Sequence, residues 1–357
     1  MSDWLADHEP PYMLKADGLA AGKGVWVLDE PQQLSERAAA LLAGALGEAG
    51  RHLVLEEFLA GPELSVFYAC DGSSLLELGA ARDHKRLLSG DRGPNTGGMG
   101  AFTPVPGVDR SLLDRVRDTI AQPTITALAE RGTPYRGFLY AGLKLTPQGP
   151  QLLEFNARLG DPEAQVLLPS LEEDLLGICL ELTRGGMGRS LRHHPGFYTG
   201  VVLAAPGYPE LPLQGFELGG LASDGSLAAV PDPGLPVPPP ATPCQSGGNE
   251  TGACTHGGSV WLFHGGTRLT AAQSAGATPL DTGLRSTGES VDVAATTPPA
   301  PARWLAAGGR LLTIVAAGET LSASAALAQA SARYIRSATY RSSGQRLILR
   351  EDIGSLL

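Results

Sequence analysis

The apolar positions of this chain fall into short strand-like runs separated by a few stretches of helical spacing. "YMLKA" (Tyr12 to Ala16) and "GVWVL" (Gly24 to Leu28) are apolar, partly β-branched or aromatic, and bounded by Gly or Pro, which predicts two strands flanking a glycine-rich loop. "PQQLSERAAALLAGAL" (Pro31 to Leu46) opens on a proline and spaces its apolar residues as a helix does. "HLVLEEFL" (His52 to Leu59) is strand-like, and "LSVFYAC" and "SLLELGAA", joined by "DGS", form an antiparallel hairpin pattern. Helical spacing returns from Arg110 to Arg131. Two strands follow, "GFLYAGLKLT" and "QLLEFNARL", and then a helix from Glu163 to about Thr183.

From "GFYTGVVLAAPGYP" onward the pattern predicts a smaller, β-rich unit, with strands in "SVWLFHGGTRL" and "GGRLLTIVAAG" and a helix over Ser324 to Ile335. Two segments interrupt it, near 223–258 and near 271–302. Both are rich in Pro, Gly, Ser and Thr and poor in large apolar residues, so they bury too little surface to offset ordering entropy and are expected to be loops or disordered insertions. The polar, glycine-rich stretch from Arg82 to Pro104 is too long and too chemically loaded to be an ordinary connector. The fold class is therefore α/β (α+β). The expected domains are 1–62 (hairpin, helix and hinge strand), 63–190 (a central unit) and 191–357 (a C-terminal unit carrying the insertions).

Composition narrows the function classes. A length of 357 residues allows two or three domains. A formal charge of -10 offers no excess of cations to neutralise a phosphate backbone, so nucleic acid is not expected as a partner. Four cysteines without a CxxC pair fit a reducing cytoplasm better than secretion. No run of about eighteen apolar residues exists to cross a membrane. The chain reads as cytoplasmic.

The N-terminal stretch "KADGLAAGKGV", Lys15 to Val25, crowds lysine and glycine as a phosphate cradle does. A Walker A loop needs G-x-x-x-x-G-K-S/T and a helix after it. Here three residues separate Gly18 from Gly22, glycine follows Lys23, and a strand follows the loop. The dinucleotide fingerprint fails as well. What remains is a glycine-rich loop between antiparallel strands that could fold over a nucleotide triphosphate and bring Lys15 and Lys23 to it. For the loop alone, an exposed turn with two solvated lysines is the competing reading. In "LLEFNARLGDPE", alternation places Leu152, Glu154 and Asn156 on one strand face. A carboxylate and an amide oxygen on one face are hard ligands suited to magnesium, and Arg158 could grip a phosphate or carboxylate. Cys244, Cys254, His256 and His264 fit no standard zinc spacing.

Taken together and in this order, "KADGLAAGKGV", "LEEFLAGPE", "DHKR", "GPNTGGMGA", "GFLYAGL" and "EFNARLGDPE" resemble the phosphoribosylamine-glycine ligase family of the ATP-grasp superfamily, as do "VWLFHGGTRL", "GGRLLTIVAAGETL" and "LREDIG". The resemblance implies an ATP-grasp fold and an ATP-dependent ligase of purine biosynthesis. Such an enzyme joins glycine to 5-phosphoribosylamine through a glycyl phosphate, with ATP and magnesium (or manganese) as cofactors. It implies that Lys15, Gly18, Gly22, Lys23 and Gly24 hold and cover the phosphates, that Glu56, Glu57, Phe58 and Leu59 form the adenine hinge, and that Glu63 takes the ribose hydroxyls. Glu154 and Asn156 then bind the metal, and Arg158 and Asp161, with Lys23, lie at the reacting groups. Asp83, His84, Lys85, Asn95, Thr96, Gly97, Gly98 and Met99 line the pocket for glycine and phosphoribosylamine.

Members of that family place a nucleotide-like α/β domain before the ATP-grasp unit. Met1 stands close to the "KADG" strand, so this domain is expected to be absent here. A monomer is expected unless a separate chain supplies it. The alternative function is a truncated, non-catalytic fragment that binds nucleotide at most.

Overall fold

The computed structural model describes residues 4–5, 7–18, 24–186, 189–228, 259–270 and 302–355. Gly22, Lys23, Cys244, Cys254, His256 and most of both expected insertions lie outside the described residues. In chain order the elements are β1 (Tyr12–Ala16), β2 (Val25–Leu28), α1 (Pro31–Ala40), β3 (Leu53–Glu57), β4 (Glu63–Asp71), β5 (Leu75–Asp83), β6 (Arg86–Leu88), β7 (Arg92–Asn95) and β8 (Gly100–Thr103). They continue with α2 (Arg110–Val116), α3 (Gln122–Glu130), β9 (Arg136–Thr146), β10 (Gly149–Asn156), α4 (Glu163–Leu167), α5 (Leu175–Arg184), β11 (Phe197–Ala204), β12 (Val260–His264), β13 (Thr267–Leu269), β14 (Trp304–Ala306), β15 (Arg310–Gly318) and α6 (Leu321–Ser343). The chain forms two compact units. Unit 1 comprises Met1–Ala80, Gly107–Leu159 and Leu176–Ser190; unit 2 comprises Ala81–Pro106, Gly160–Leu175 and Leu191–Leu357.

Unit 1 contains two sheets. The smaller has the order β2-β1-β3, antiparallel throughout. Alternation along β1 turns Tyr12 and Leu14 inward against Leu28 and against Leu34, Ala38 and Leu41, the helically spaced residues that begin in α1. Pro31 suits the first turn of that helix because its missing N–H would have no intrahelical partner there. In the larger sheet β10, β9 and β4 pair side by side, with β4 running into β5 through a tight turn. At that turn Asp71 Oδ1 accepts the N–H groups of Ser73 and Ser74, at 3.0 and 2.8 Å. The helix expected from Arg110 to Arg131 forms, capped by Asp109 Oδ1 on the Leu112 N–H (2.9 Å), but it contains a π-turn over Arg117–Ala121. Pro123 explains the turn: it donates no hydrogen bond, and its ring crowds the carbonyl one turn earlier.

Unit 2 is built on β11, which pairs antiparallel with β8 on one side and β15 on the other, with β12 outside β15. Valines, leucines and isoleucines of β11 and β15 bury against Ala328, Ala332, Tyr334 and Ile335 of α6. The helix expected over Ser324 to Ile335 is longer, Leu321–Ser343. Its ends are set by the Thr320 side chain on the Ala323 N–H (3.1 Å) and by Gly344 at φ 71°. The Arg82 to Pro104 stretch folds as the β6–β7 hairpin followed by β8.

The continuous helix expected from Glu163 to about Thr183 is instead two helices. α4 ends in a 3-10 turn over Leu168–Ser170, and Leu171 is extended before α5 begins. Pro169 is the cause, since it cannot donate into the ladder. Among the described residues no helix is long and apolar enough to cross a membrane.

Leu14 is fully buried in the small cluster that joins β1 to α1. Leu14→Ala should therefore lower stability by about 2–5 kcal/mol, seen as a lower thermal midpoint; an unchanged midpoint would contradict this packing.

Candidate active site

Cross-strand partners share a face of a sheet, so the register of the small sheet sorts its side chains. Lys15 stands opposite Val25 and Val54, and Met13 opposite Val27 and Glu56. One face therefore carries Met13, Lys15, Val25, Val27, Val54 and Glu56, while Tyr12 and Leu14 fill the core behind. Val25 and Val27 are 45% and 51% exposed, an apolar bed beside a cation. A flat heterocycle carrying phosphates suits such a surface. Lys15 Nζ lies 2.5 Å from Glu56 Oε2 and donates to the Leu153 carbonyl at 3.3 Å.

That carbonyl is available because β10 contains a bulge. Leu152 pairs with Leu143, yet Glu154 pairs with the adjacent Gly142, so β10 has one extra residue here. Leu143 and Gly142 face opposite sides, and so do Leu152 and Glu154. The expected grouping of Leu152 with Glu154 and Asn156 is corrected: Leu152 turns toward Ile120, Pro123 and Thr124 of the helical layer, while the two polar residues stay together. Asn156 Nδ2 donates to Glu154 Oε1 at 3.2 Å, which leaves Asn156 Oδ1 turned to Arg158, whose Nη2 is 3.5 Å away. By register Glu63, Lys144, Glu154 and Asn156 share one sheet face, and Lys144 Nζ lies 3.3 Å from Glu63 and donates to the Gly61 carbonyl at 3.1 Å. Lys144 had no sequence signal beyond its place in a strand.

The remaining unit 1 candidates are placed more simply. Glu57 and Phe58 are exposed and Leu59 is half-buried just after β3, while Gly24 is buried and its carbonyl accepts the Ala16 N–H at 2.8 Å. A Cβ on Gly18 would stand 2.5 Å from Ala49 Cα, so close backbone approach already requires glycine there.

In unit 2 the "DHKR" and "GPNTGGMG" segments are laced together. Lys85 O accepts from both Thr96 N and Thr96 Oγ1 (2.8 and 2.7 Å), Gly98 N donates to Thr96 Oγ1 (3.0 Å), and Met99 N donates to His84 O (2.8 Å). Gly97 N donates to the Tyr208 hydroxyl at 3.0 Å. Asn95 is exposed at the end of β7, Met99 is fully buried, and Asp83 lies 3.8 Å from Lys85 Nζ. Gly98 has φ 114°, and a Cβ there would stand 2.4 Å from Pro162 Cδ, so the glycine loop rests on the "GDPE" turn. Asp161 has both carboxylate oxygens engaged, Oδ2 by Arg310 (2.8 Å) and Oδ1 by Gln165 (3.0 Å).

A buried ion cluster underlies the β6–β7 hairpin. Arg350 is fully buried, and its guanidinium grips Asp352 at 2.6 and 2.9 Å, Asp91 at 2.7 Å and the Arg86 carbonyl at 3.2 Å. Asp352 Oδ2 also accepts the Gly90 N–H at 2.8 Å. Burial alone would raise the Asp352 carboxyl, but Arg350 and Gly90 outweigh it and hold it below its ordinary value. His84 is 7% exposed beside this cluster, and its Nε2 has no partner. Burial first, and then Arg350 with a lesser push from Arg82, lower its pKa to about 4 against the opposing pull of Asp352 and Asp91. It is neutral at pH 7 and cannot serve as a cation there.

Among the described residues no three His, Cys, Asp or Glu side chains converge as a metal cage. His264 is used locally, within hydrogen-bond reach of Thr267 (2.8 Å) and of the Gly225 carbonyl (2.9 Å). The residues that sequence reasoning missed, Tyr208, Arg310 and Arg350, reach Gly97, Gly97 and Arg86 across 111, 213 and 264 positions, and nothing local signals such pairings.

The fold is that of the ATP-grasp class. The biotin carboxylase domain of Hydrogenobacter thermophilus 2-oxoglutarate carboxylase, solved with MgADP, shares it at a TM-score of 0.53 and 12% identity, over 97% of this chain and 60% of that one. Residues 1–164 match the family model described as phosphoribosylglycinamide synthetase, ATP-grasp (A) domain. The chain is 43% identical over 225 residues to phosphoribosylamine-glycine ligase of Caulobacter vibrioides (62% of this chain, 52% of the relative). It is 41% identical over 256 residues to that of Phenylobacterium zucineum (71% and 60%). The crystal structure of phosphoribosylamine-glycine ligase from Thermotoga maritima superposes with a TM-score of 0.67 at 29% identity, over 98% of this chain and 71% of that one. The chain thus spans about half the length of the curated relatives it matches.

The depressed pKa of His84 has a pH signature. Its unfolded form binds a proton below about 6.5 and its folded form only below about 4, so stability is full above pH 6.5 and is lost as pH falls toward 4, by about 3 kcal/mol at most. His84→Gln should flatten the dependence of the thermal midpoint on pH between 4 and 7.

Proposed function

We propose that this chain acts as an ATP-dependent ligase joining glycine to 5-phosphoribosylamine, forming glycinamide ribonucleotide, ADP and phosphate. The observation that carries the reading is the family match over residues 1–164, which includes a strand where Glu154 and Asn156 stand side by side, 3.2 Å apart. A carboxylate is a poor electrophile. The glycine carboxylate therefore attacks the γ-phosphorus of ATP, an O–P bond forms, and ADP leaves; the amine nitrogen then attacks the acyl carbon, a C–N bond forms, and phosphate and a proton depart. Both steps consist mostly of positioning and charge neutralisation, so no nucleophilic side chain is required.

In this reading Lys15 and Lys23 contact the phosphates, the valine face of the small sheet takes the adenine with Glu56 to Leu59 at its edge, and Glu63 takes the ribose. Arg158 lies at the reacting phosphate, with Asp161 nearby as an anchor. The loop from Asn95 to Met99, with Asp83, His84 and Lys85, holds glycine and phosphoribosylamine. Magnesium fits the donor set, since Glu154 and Asn156 supply two hard oxygens and the phosphates and waters complete the shell. Bound there, it neutralises phosphate charge.

The test is ADP formation by the purified chain with ATP, magnesium, glycine and phosphoribosylamine, omitting each in turn. Turnover should require both acceptor substrates and fall about 100-fold in Glu154→Ala, with an unchanged thermal midpoint because Glu154 is exposed. Nucleotide binding without turnover would overturn the ligase reading in favour of a nucleotide-binding fragment.

A further inference from the structure

We propose that Arg310, at the start of β15, is a positioning residue that clamps the glycine loop to the "GDPE" turn and so sets the shape of the acceptor pocket. Arg310 Nη1 donates to the Gly97 carbonyl at 2.8 Å and to the Asp161 carbonyl at 2.7 Å, and Nη2 donates to Asp161 Oδ2 at 2.8 Å. One guanidinium thus ties together two signature segments 64 positions apart in the chain, from a strand about 150 positions further on. Its side chain is 24% exposed and that of Asp161 54%, so the hold comes from several charge-assisted bonds converging on one guanidinium rather than from burial.

The glycines of the loop are cut to this arrangement. A Cβ on Gly97 would stand 3.0 Å from Arg310 Cζ and Nη2, so a side chain there would press the guanidinium away from that peptide. A Cβ on Gly98 meets Pro162, and one on Gly100 would stand 2.5 Å from the Gly200 carbonyl. The "GGMG" pattern therefore follows from close packing against three separate neighbours rather than from freedom to move. The clamp also redefines Asp161. With both carboxylate oxygens and its carbonyl engaged, it serves as the anchor for Arg310 rather than as a base or a metal ligand.

The fork geometry is what the role requires. A lysine at position 310 keeps the charge but offers a single nitrogen, which cannot reach two carbonyls and a carboxylate with the same planarity. The kinetic part of the proposal rests on the ligase reading; the structural part does not. Amide hydrogen exchange should be measured over residues 93–99 and 159–165 in the wild type, Arg310→Lys and Asp161→Asn, together with KM for glycine and for ATP. Both variants should exchange about tenfold faster in both segments. Both should also show about 10- to 100-fold lower kcat/KM for glycine, with the ATP KM within about twofold of wild type. Arg310→Lys matching the wild type in exchange and in glycine kinetics overturns the clamp, as does an ATP KM that rises in parallel. If the wild-type chain shows no glycine-dependent turnover, the ligase reading fails. Exchange alone then decides the clamp: faster exchange in both segments sustains it, and unchanged exchange overturns it.

Discussion

The extra residue in β10 is the constraint on which the polar face of that strand in unit 1 depends. A strictly alternating strand would put Leu152 on the same face as Glu154 and Asn156, and a large apolar side chain would then stand among the polar groups. By inserting Leu153 between the paired positions, the bulge sends Leu152 to the helical layer, away from the carboxylate and the amide that share a face by ordinary alternation. It also frees a backbone carbonyl for Lys15, whose ammonium is held at once by Glu56. One local irregularity thus clears an apolar side chain from the polar pair and fixes a cation from a different sheet. Bulges are enriched next to active sites for this reason: they re-aim side chains without altering the rest of a sheet.

Unit 2 follows a different logic, in which close backbone packing and buried charge do the positioning. The glycine loop has no helix or long strand of its own to hold it. Its conformation is imposed from outside by Tyr208 on Gly97 N, Pro162 under Gly98 and the Gly200 carbonyl against Gly100. Beneath the adjoining hairpin, Arg350 is satisfied by two carboxylates and a carbonyl, so a fully buried guanidinium is compensated rather than isolated. Burial, helped by the same charge, keeps His84 neutral, so the histidine of the "DHKR" segment does not carry charge.

Each unit holds its polar groups in place by short-range contacts of its own. Unit 1 offers an apolar bed, a held lysine and a paired carboxylate and amide; unit 2 offers a rigid loop rich in backbone donors and acceptors.

How much could be read from the chain follows from the range of the interactions involved. The strands and the α1 and α2–α3 helices were legible because their apolar spacing and caps are local, and the rejection of a Walker A loop held because β2, a strand, follows the glycines. The polar pair at Glu154 and Asn156 was legible too, since positions two apart on a strand share a face. Where one proline intervened, periodicity alone misled: Pro169 divides the helix expected from Glu163 to Thr183, and the pattern on either side still reads as helical. What only tertiary structure decided is whatever depends on partners far away in the chain. The bulge exists only in the pairing of β10 with β9; Lys15 meets Leu153 across 138 positions, and Arg310 meets Gly97 across 213. Sequence determined which side chains each local segment could offer and on which face, because backbone geometry acts over a few residues. Which of them meet, and which glycines must stay glycine, was settled by packing between segments, because steric exclusion and charge pairing act through space.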